Sequence, residues 1–521
     1  MLRETTIKNG RIAGIPASDP RVTVYKGVPF AAPPVGDLRW RPPQPAKDWD
    51  GVLQADRFAP ISMQATPGLG DPNALYNKEW HVDSNIPMSE DCLYLNIWTP
   101  AKSTDEKLPV MFWIFGGGFQ VGYTSEMEFD GERIARRGVI LVSVNYRLNV
   151  FGFFSHPELT AENPDGPANL GLLDQLAGLR WVKENIEAFG GDPNNVTIFG
   201  QSAGAGSVMS HLTSPMSKGF FHKAIPQSGG GLTPGFSHDQ PKLSVAEAYG
   251  KGFTDFLGVS GIQEARKIDA ITLMQKANEY PIPEGRRFKW ALVIDGKFLP
   301  TTPKEAIMNG KINQVPIITG STVDEFPMIP LNSAKITIPM KMPTGKIEED
   351  DFTSFAKERF GESADKYMEL CGFGKESLEA VVKNGTFNFF ELGNWVWAQK
   401  NAELETVPMY LYRFNPPIPG DDSGSFHSSE LWFTFESLAK CWRPFKGSHY
   451  DLARIMCNYW TNFAKTGDPN GNDADGTPMP KWDKYTSQAP YPMYFNLNPA
   501  MDKEKPPELM SFLIDYDYNN L

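Results

Sequence analysis

A serine held between two glycines, Gly200-Gln201-Ser202-Ala203-Gly204, is where residue type and spacing in this chain most directly suggest chemistry. The run before it, Val196-Thr-Ile-Phe199, is apolar and β-branched, and the small residues after it, Ala203-Gly-Ala-Gly-Ser207, can open a helix. Strand, tight turn and helix in that order lift a hydroxyl clear of its own backbone, and a turn so sharp leaves no space for a Cβ on either flank. A glycine-serine turn alone is common in ordinary loops; the flanking strand and helix give this one its meaning. A hydroxyl so presented attacks a carbonyl carbon once an imidazole removes its proton. The chain must then supply that base, a carboxylate to orient it, and N–H donors for the oxyanion.

Donors are expected from Gly116-Gly117-Gly118, which ends the continuous apolar run Pro109–Phe115. Successive glycines let backbone N–H groups approach a ligand closely. For the acid, Asp324 and Glu325 follow the strand-like Val315–Gly320, and a carboxylate just past a strand's C-terminal end is well placed to orient a histidine. Seven histidines compete for the base: His81, His156, His211, His222, His238, His427 and His449. Pro408–Phe414 reads as the last convincing core strand, and His427 follows it, whereas His449 reads as part of a polar turn before a helix. The order serine, acid, histidine is that of an α/β-hydrolase, with either carboxylate type as the acid.

Positioning these groups requires a sheet. Pro109–Phe115 and Val139–Asn145 read as strands buried on both faces, as in a parallel sheet. Residues 171–187 carry apolar side chains at helical spacing and lead through the turn cluster Phe189–Asn195 into the serine strand, a strand-helix-strand parallel unit. His222–Ser228 reads as a further strand, weakened by Pro226, which cannot donate to a central ladder. Asn9-Gly10 marks an edge hairpin, and the proline-rich stretch from Tyr25 to Pro43 an ordered loop. Residues 55–89 read as a long loop, a solvated excursion more readily than the border of a site, and residues 230–310 as helices and loops over one end.

Composition narrows the class. The hydrophobic fraction of 41% over 521 residues supports a large core, and a net charge of −12 excludes the basic footprint of nucleic-acid or anionic-lipid binding. No apolar leader or spanning run is visible, so no membrane anchor is expected. Cys92, Cys371, Cys441 and Cys457 lie far apart, without metal-ligand spacing, which fits a reducing cytoplasm and no metal or cofactor.

These segments closely resemble the type-B carboxylesterases, the group that includes cholinesterases and some fungal lipases. The matching stretches run from Gly27-Val-Pro-Phe-Ala through Ser89-Glu-Asp-Cys92, Gly116-Gly-Gly-Phe119, Val144-Asn-Tyr-Arg147, Asn169-x-Gly-Leu-Leu-Asp174 and Gln201-Ser-Ala-Gly204 to His427-x-x-Glu430-Leu and Trp460-x-Asn-Phe-Ala-Lys-Thr-Gly-Asp-Pro469. The resemblance implies one α/β-hydrolase domain over residues 1–521, with a central, mostly parallel twisted sheet, helices on both faces, and cap-like insertions near 230–310 and 330–400. It further implies Ser202 as nucleophile, His427 as base, Glu325 rather than Asp324 as acid, and an oxyanion hole from Gly117, Gly118 and Ala203. Arg39 with Glu90 and Arg147 with Asp174 become structural ion pairs. The expected partners are a small-molecule ester and water.

Departures from the family pattern carry information too. Gln201 stands where cholinesterases usually have glutamate, which argues against a quaternary ammonium substrate. Trp80 lies in the region of the choline-binding tryptophan, Phe115 replaces a common His or Tyr, and Cys92 lacks an earlier cysteine for the family's loop disulfide. Charge at Asp56, Arg57, Asp71, Lys78, Glu79 and Asp83 fits poorly with the apolar lid of a lipase. Aryl or hydroxycinnamoyl (feruloyl) esters are an alternative substrate class, and a non-catalytic binding module is the alternative outside the enzymes.

Overall fold

In the computed structural model, the described residues are 1–520 apart from 70, 72, 81, 230, 231, 233–239, 284, 285, 287, 335–341 and 343–345. The chain begins with the hairpin expected around Asn9-Gly10: Glu4–Ile7 pairs antiparallel with Gly10–Ala13, and Val52–Gln54 joins in parallel. Everything that positions the cavity described below belongs to a second, larger sheet.

That sheet has eleven strands. In chain order they are β1 (Ile15–Pro16), β2 (Thr23–Pro29), β3 (Tyr94–Thr99), β4 (Leu108–Ile114), β5 (Ile140–Val144), β6 (Gly191–Gln201), β7 (Lys223–Gln227), β8 (Ile317–Thr322), β9 (Met409–Phe414), β10 (Met493–Phe495) and β11 (Ala500–Met501). Across the sheet the order is β11-β10-β9-β8-β7-β6-β4-β5-β3-β2-β1. Pairings from β5 to β10 are parallel, and those beyond either end antiparallel. Val110 to Ile114 and all of β5 are buried, which is why these strands read as unbroken apolar runs without alternation.

From β4 the chain crosses to β5 on one side, whereas from β6 it proceeds through the helix Ala203–Thr213 to β7 on the other. The strand order therefore reverses between β4 and β6, which are direct neighbours with Ile114 opposite Gly200. Loops leaving the C-terminal ends of two such strands diverge and open a crevice between them.

Two expectations need correction. Pro226 does not weaken β7, which lies mid-sheet between β6 and β8. Ala224 N donates to Pro316 O at 3.1 Å and Ser228 N to Gly320 O at 2.8 Å, so the donors on either side of the proline hold the ladder that it interrupts. Pro408–Phe414 is also not the last core strand, since β10 extends the parallel run beyond β9. Three residues are too short for a periodicity to register.

The two ion pairs form as expected. Arg147 Nε and Nη2 donate to Asp174 at 2.8 and 2.7 Å, and Arg39 Nε and Nη2 to Glu90 at 2.7 and 2.6 Å. No helix among the described residues is long and apolar enough to cross a membrane.

Candidate active site

At the end of β6 the backbone turns through Ser202 at φ +57° and ψ −123°, a region that a residue with a side chain enters only under constraint. The constraint is steric. A Cβ on Gly200 would lie 2.6 Å from the backbone of Gly204, and one on Gly204 would drive into the carbonyl oxygen of Ile114. With those side chains absent, strand β6 and the helix Ala203–Thr213 close to a spacing that leaves the serine at the apex, where Ser202 N donates to Gln227 O at 3.0 Å.

The glycine loop after β4 faces it. Gly117 and Gly118 have φ of +100° and +64°. A Cβ on Gly117 would collide with the carbonyl of Val121. Tyr146 OH holds the start of the loop through Phe115 O at 2.8 Å, and Gln120 N and Val121 N cap the Gly117 carbonyl at 3.0 and 3.1 Å. The N–H groups of Gly117, Gly118 and Ala203 donate to no acceptor among the described residues, and Ala203 opens a helix, where the first N–H groups always lack an intrahelical partner.

Glu325 and His427 come from the loops after β8 and β9. Asp324 joins the two loops: its N–H donates to Ser425 O at 3.1 Å and its carboxylate accepts from Ser425 N at 2.8 Å. Gly424, at φ +63°, lets that carboxylate lie against the backbone. Of the adjacent acids, Asp324 thus anchors the loop while Glu325, fully buried, hydrogen-bonds His427 Nδ1 through Oε2. The other Glu325 oxygen accepts from Ser228 Oγ at 2.5 Å and Thr322 N at 3.2 Å. Ser228 escapes the sequence reading; its only local sign is its place just past β7. Phe326 and Phe390 pack on the imidazole, with ring centroids 4.7 and 5.3 Å away. His427 Nε2 lies 3.3 Å from the side-chain nitrogen of Gln201, the residue preceding the serine. Among the described residues no hydrogen bond joins Ser202 Oγ to His427. Behind this line, burial pushes the Glu430 carboxyl up to about 8, with the Glu325 charge adding to the effect.

Ser202, His427, Gly117, Gly118 and Ala203 line one cavity of about 430 Å³. Most of its wall is apolar, including Met209, Leu292, Phe326 and Leu431.

The 55–89 segment is not a solvated excursion: Tyr76 and Trp80, stacked at 5.3 Å, form part of the wall, and Tyr76 OH donates to the His427 carbonyl at 3.2 Å. Glu79, a surface charge by sequence, is buried and accepts from Trp432 Nε1, Trp442 Nε1 and Arg443 Nε at 3.1, 3.0 and 2.7 Å. Three donors from distant sequence replace the water that a lone carboxylate would need.

The remaining histidines have structural partners. His211, between Ser217 Oγ and Gln175 Oε1, is lowered to about 3 by burial. His449 sits not in a turn but inside the helix Gly447–Thr466, 2.9 Å from Pro417 O. His156 Nδ1 accepts from Glu158 N, and His222 Nδ1 from Val196 N. His81 and His238 lie outside the described residues. Cys92 is buried and unpaired, its thiol pushed up to about 12 by desolvation.

Comparison with known proteins places this geometry in context. A family model described as "Carboxylesterase family" matches residues 3–512. A protein named fumonisin B1 esterase from Sphingopyxis macrogoltabida is 34% identical over 479 residues, covering 89% of this chain and 82% of its own length. Para-nitrobenzyl esterase of Bacillus subtilis (strain 168) is 34% identical over 481 residues, covering 89% and 90%. Among solved structures, a PNB esterase superposes with a TM-score of 0.77 at 29% identity, over 98% of this chain and 100% of its own.

Proposed function

The chain belongs to the carboxylesterase family and hydrolyses carboxylic esters through an acyl-serine intermediate, and from that premise we propose that Ser202, His427 and Glu325 carry the reaction in the cavity at the β4/β6 crevice. The observation that supports this most directly is the convergence of four loops: the serine turn after β6, the open N–H groups after β4, the acid after β8 and the histidine after β9.

In this reading an ester enters with its carbonyl oxygen toward Gly117, Gly118 and Ala203. Ser202 Oγ attacks the carbonyl carbon while His427 Nε2 takes the hydroxyl proton, turning from the Gln201 amide to do so. Glu325 fixes the tautomer through Nδ1 and stabilises the imidazolium that forms. The three N–H groups receive the growing oxyanion charge; a single such donor is worth a factor of roughly 10²–10³ in rate. His427 returns the proton to the leaving alcohol, and water then repeats the sequence on the acyl-serine. The mainly apolar wall favours uncharged acyl and alkoxy groups, and the 230–310 and 330–400 stretches complete it, the first through Phe288 and Leu292 on irregular backbone and the second through Phe390 in the helix Phe389–Leu404. Water and an ester are the partners that this route requires.

A fluorophosphonate probe tests the assignment. The expected result is one labelled serine per chain, mapped to Ser202 by peptide mass, with ester hydrolysis lost in proportion to labelling. Hydrolysis that survives full labelling, or a label on another serine, overturns it. Rates over nitrophenyl esters of rising chain length, beside feruloyl esters and triglycerides, then define the substrate class.

A further inference from the structure

The residues that follow Gly117 form a tight turn whose shape is not the one they prefer. Gln120 N donates to Gly117 O at 3.0 Å, and the two residues inside the turn, Gly118 and Phe119, have φ of +64° and +62°. Two successive positive φ values are the mark of a type I′ turn. Glycine takes that conformation freely, whereas a phenylalanine there is strained. Turning over the single peptide between Gly118 and Phe119 gives a type II′ turn, which needs positive φ only at its first inner residue, here the glycine. On local grounds alone the flipped form is the easier one for this sequence.

A side chain opposes the flip. The Gln120 amide nitrogen donates to Gly118 O at 3.2 Å and to Trp290 O at 2.6 Å. Both acceptors are carbonyl oxygens, so only the nitrogen end of the amide fits there. The Gly118 carbonyl belongs to the very peptide that would turn over, and the flip carries it to the opposite face of the turn and breaks the bond. Asn149 N, donating to Phe119 O at 2.7 Å, holds the next peptide. Trp290 lies on the irregular backbone that brings Phe288 and Leu292 to the cavity, and a Cβ on Gly118 would come within 3.0 Å of Phe288. One amide thus ties the loop of open N–H groups to the wall packed on it.

We propose that Gln120 is a positioning residue for ester hydrolysis: its side-chain amide locks the turn from Gly117 to Gln120 in the form that keeps Gly117 N and Gly118 N open to the ester oxygen. The amide does not touch the reacting atoms. It acts through the Gly118 carbonyl, and through Trp290 it fixes how the donors sit against the wall along which the substrate lies. Without it the turn divides between two forms, and a loop that exchanges between them no longer holds its N–H groups in one place. An oxyanion hole stabilises charge only while its donors are already in position, so the molecules in the flipped form bind ester and turn it over slowly. This assignment rests on the reading of Gly117, Gly118 and Ala203 as the oxyanion donors of the Ser202 cavity.

The test replaces Gln120 by leucine, which fills similar space without a donor, and by glutamate, which keeps the shape. In each full-length variant Ser202 is counted with the fluorophosphonate probe taken to completion, and 4-nitrophenyl butyrate hydrolysis is measured per labelled site. Gln120→Leu is expected to lower kcat by at least about tenfold while KM changes by less than about threefold, a smaller loss than the roughly 10²–10³-fold of a whole donor. Affinity for a trifluoromethyl ketone, whose serine adduct places an oxyanion at the same N–H groups, should fall by about the same factor as kcat/KM, while a plain alcohol of equal chain length inhibits as before. Gln120→Glu responds to pH: ionised, it sets a charge against two carbonyl oxygens, and protonated, it has one O–H to donate. Its rate relative to the unaltered chain should therefore recover from about pH 8 to about pH 5. A kcat within about twofold of the unaltered chain, a loss confined to KM, or an unchanged ketone affinity overturns the proposal, as does a Gln120→Glu defect that ignores pH. Gln120→Leu carries the decision if the glutamate variant does not fold. A chain that labels at Ser202 but keeps its kcat in these variants loses this assignment alone; a chain that never labels fails at the earlier reading of Ser202, and the role of Gln120 falls with it.

Discussion

Two buried polar regions on the same sheet are organised in opposite ways. Asp174, in the helix Leu170–Asn185, receives the backbone N–H, Nε and Nη2 of Arg147, just past β5, at 3.0, 2.8 and 2.7 Å, and the remaining Arg147 Nη1 donates to Arg41 O at 2.8 Å. The Asp174 carboxylate and the Arg147 guanidinium satisfy each other. At the crevice, Ser202 sits at positive φ and the backbone N–H groups of Gly117, Gly118 and Ala203 have no acceptor among the described residues. The first region closes its own hydrogen bonds and holds loops in place. The second leaves complementary groups open, at a cost in stability that the rest of the fold must offset. Here the open N–H groups mark the ligand's place because they line a cavity of ligand size.

Substitutions on the two sides sharpen or break this contrast. The largest effect is expected from Ser202→Ala, which should lower turnover of a nitrophenyl ester by roughly 10⁴–10⁶-fold while leaving the melting temperature nearly unchanged. Asp174→Ala should do the reverse. Stranding the buried Arg147 guanidinium costs about 3–5 kcal/mol in stability by denaturant titration, and the protein that remains folded keeps its rate per fluorophosphonate-labelled site. If Asp174→Ala instead slows the labelled enzyme without destabilising it, the division between the regions is wrong.

Gly117→Ala lies between the two. Its Cβ meets the Val121 carbonyl, so the loop must shift and the open N–H groups move with it. A fall in kcat of about 10²–10³-fold, larger than any change in KM, is the expected signature of a lost oxyanion donor.

Glu430 tests the cavity side through pH. The folded chain keeps its proton up to about pH 8, whereas the unfolded chain releases it near 4.5, so across that window the unfolded state binds fewer protons and stability falls as pH rises. Glu430→Gln removes the effect, and its melting temperature should exceed that of the unaltered chain by more at about pH 8 than at about pH 5. An equal difference at both would contradict a raised carboxyl. The smallest change is expected at the exposed pair Lys8–Glu184, 2.9 Å apart, where Lys8→Ala should alter stability by less than about 1 kcal/mol.

What the sequence reveals follows from how local each cause is. The serine turn is legible because its steric demands fall on Gly200 and Gly204, within two residues of Ser202. Strands β4 and β5 are legible because burial on both faces leaves an unbroken apolar run. Glu79 is not legible, because its burial depends on Trp432, Trp442 and Arg443, more than 350 positions away. For the same reason residues 55–89 look solvated when the only evidence is their charge. Ser228 escapes because a serine after a strand means little until Glu325 is beside it. Pro226 misleads in the other direction, since a general rule about ladder donors does not reveal that Ala224 and Ser228 hold the strand on either side.

The hydrogen bond from Tyr76 to the His427 carbonyl links the short helix Leu75–Glu79, part of the cavity wall, to the imidazole loop. Selectivity and speed consequently share a mechanical part. Recasting that helix to admit a different ester would also shift the base, so a redesigned wall should be judged by its turnover as well as by what it lets in.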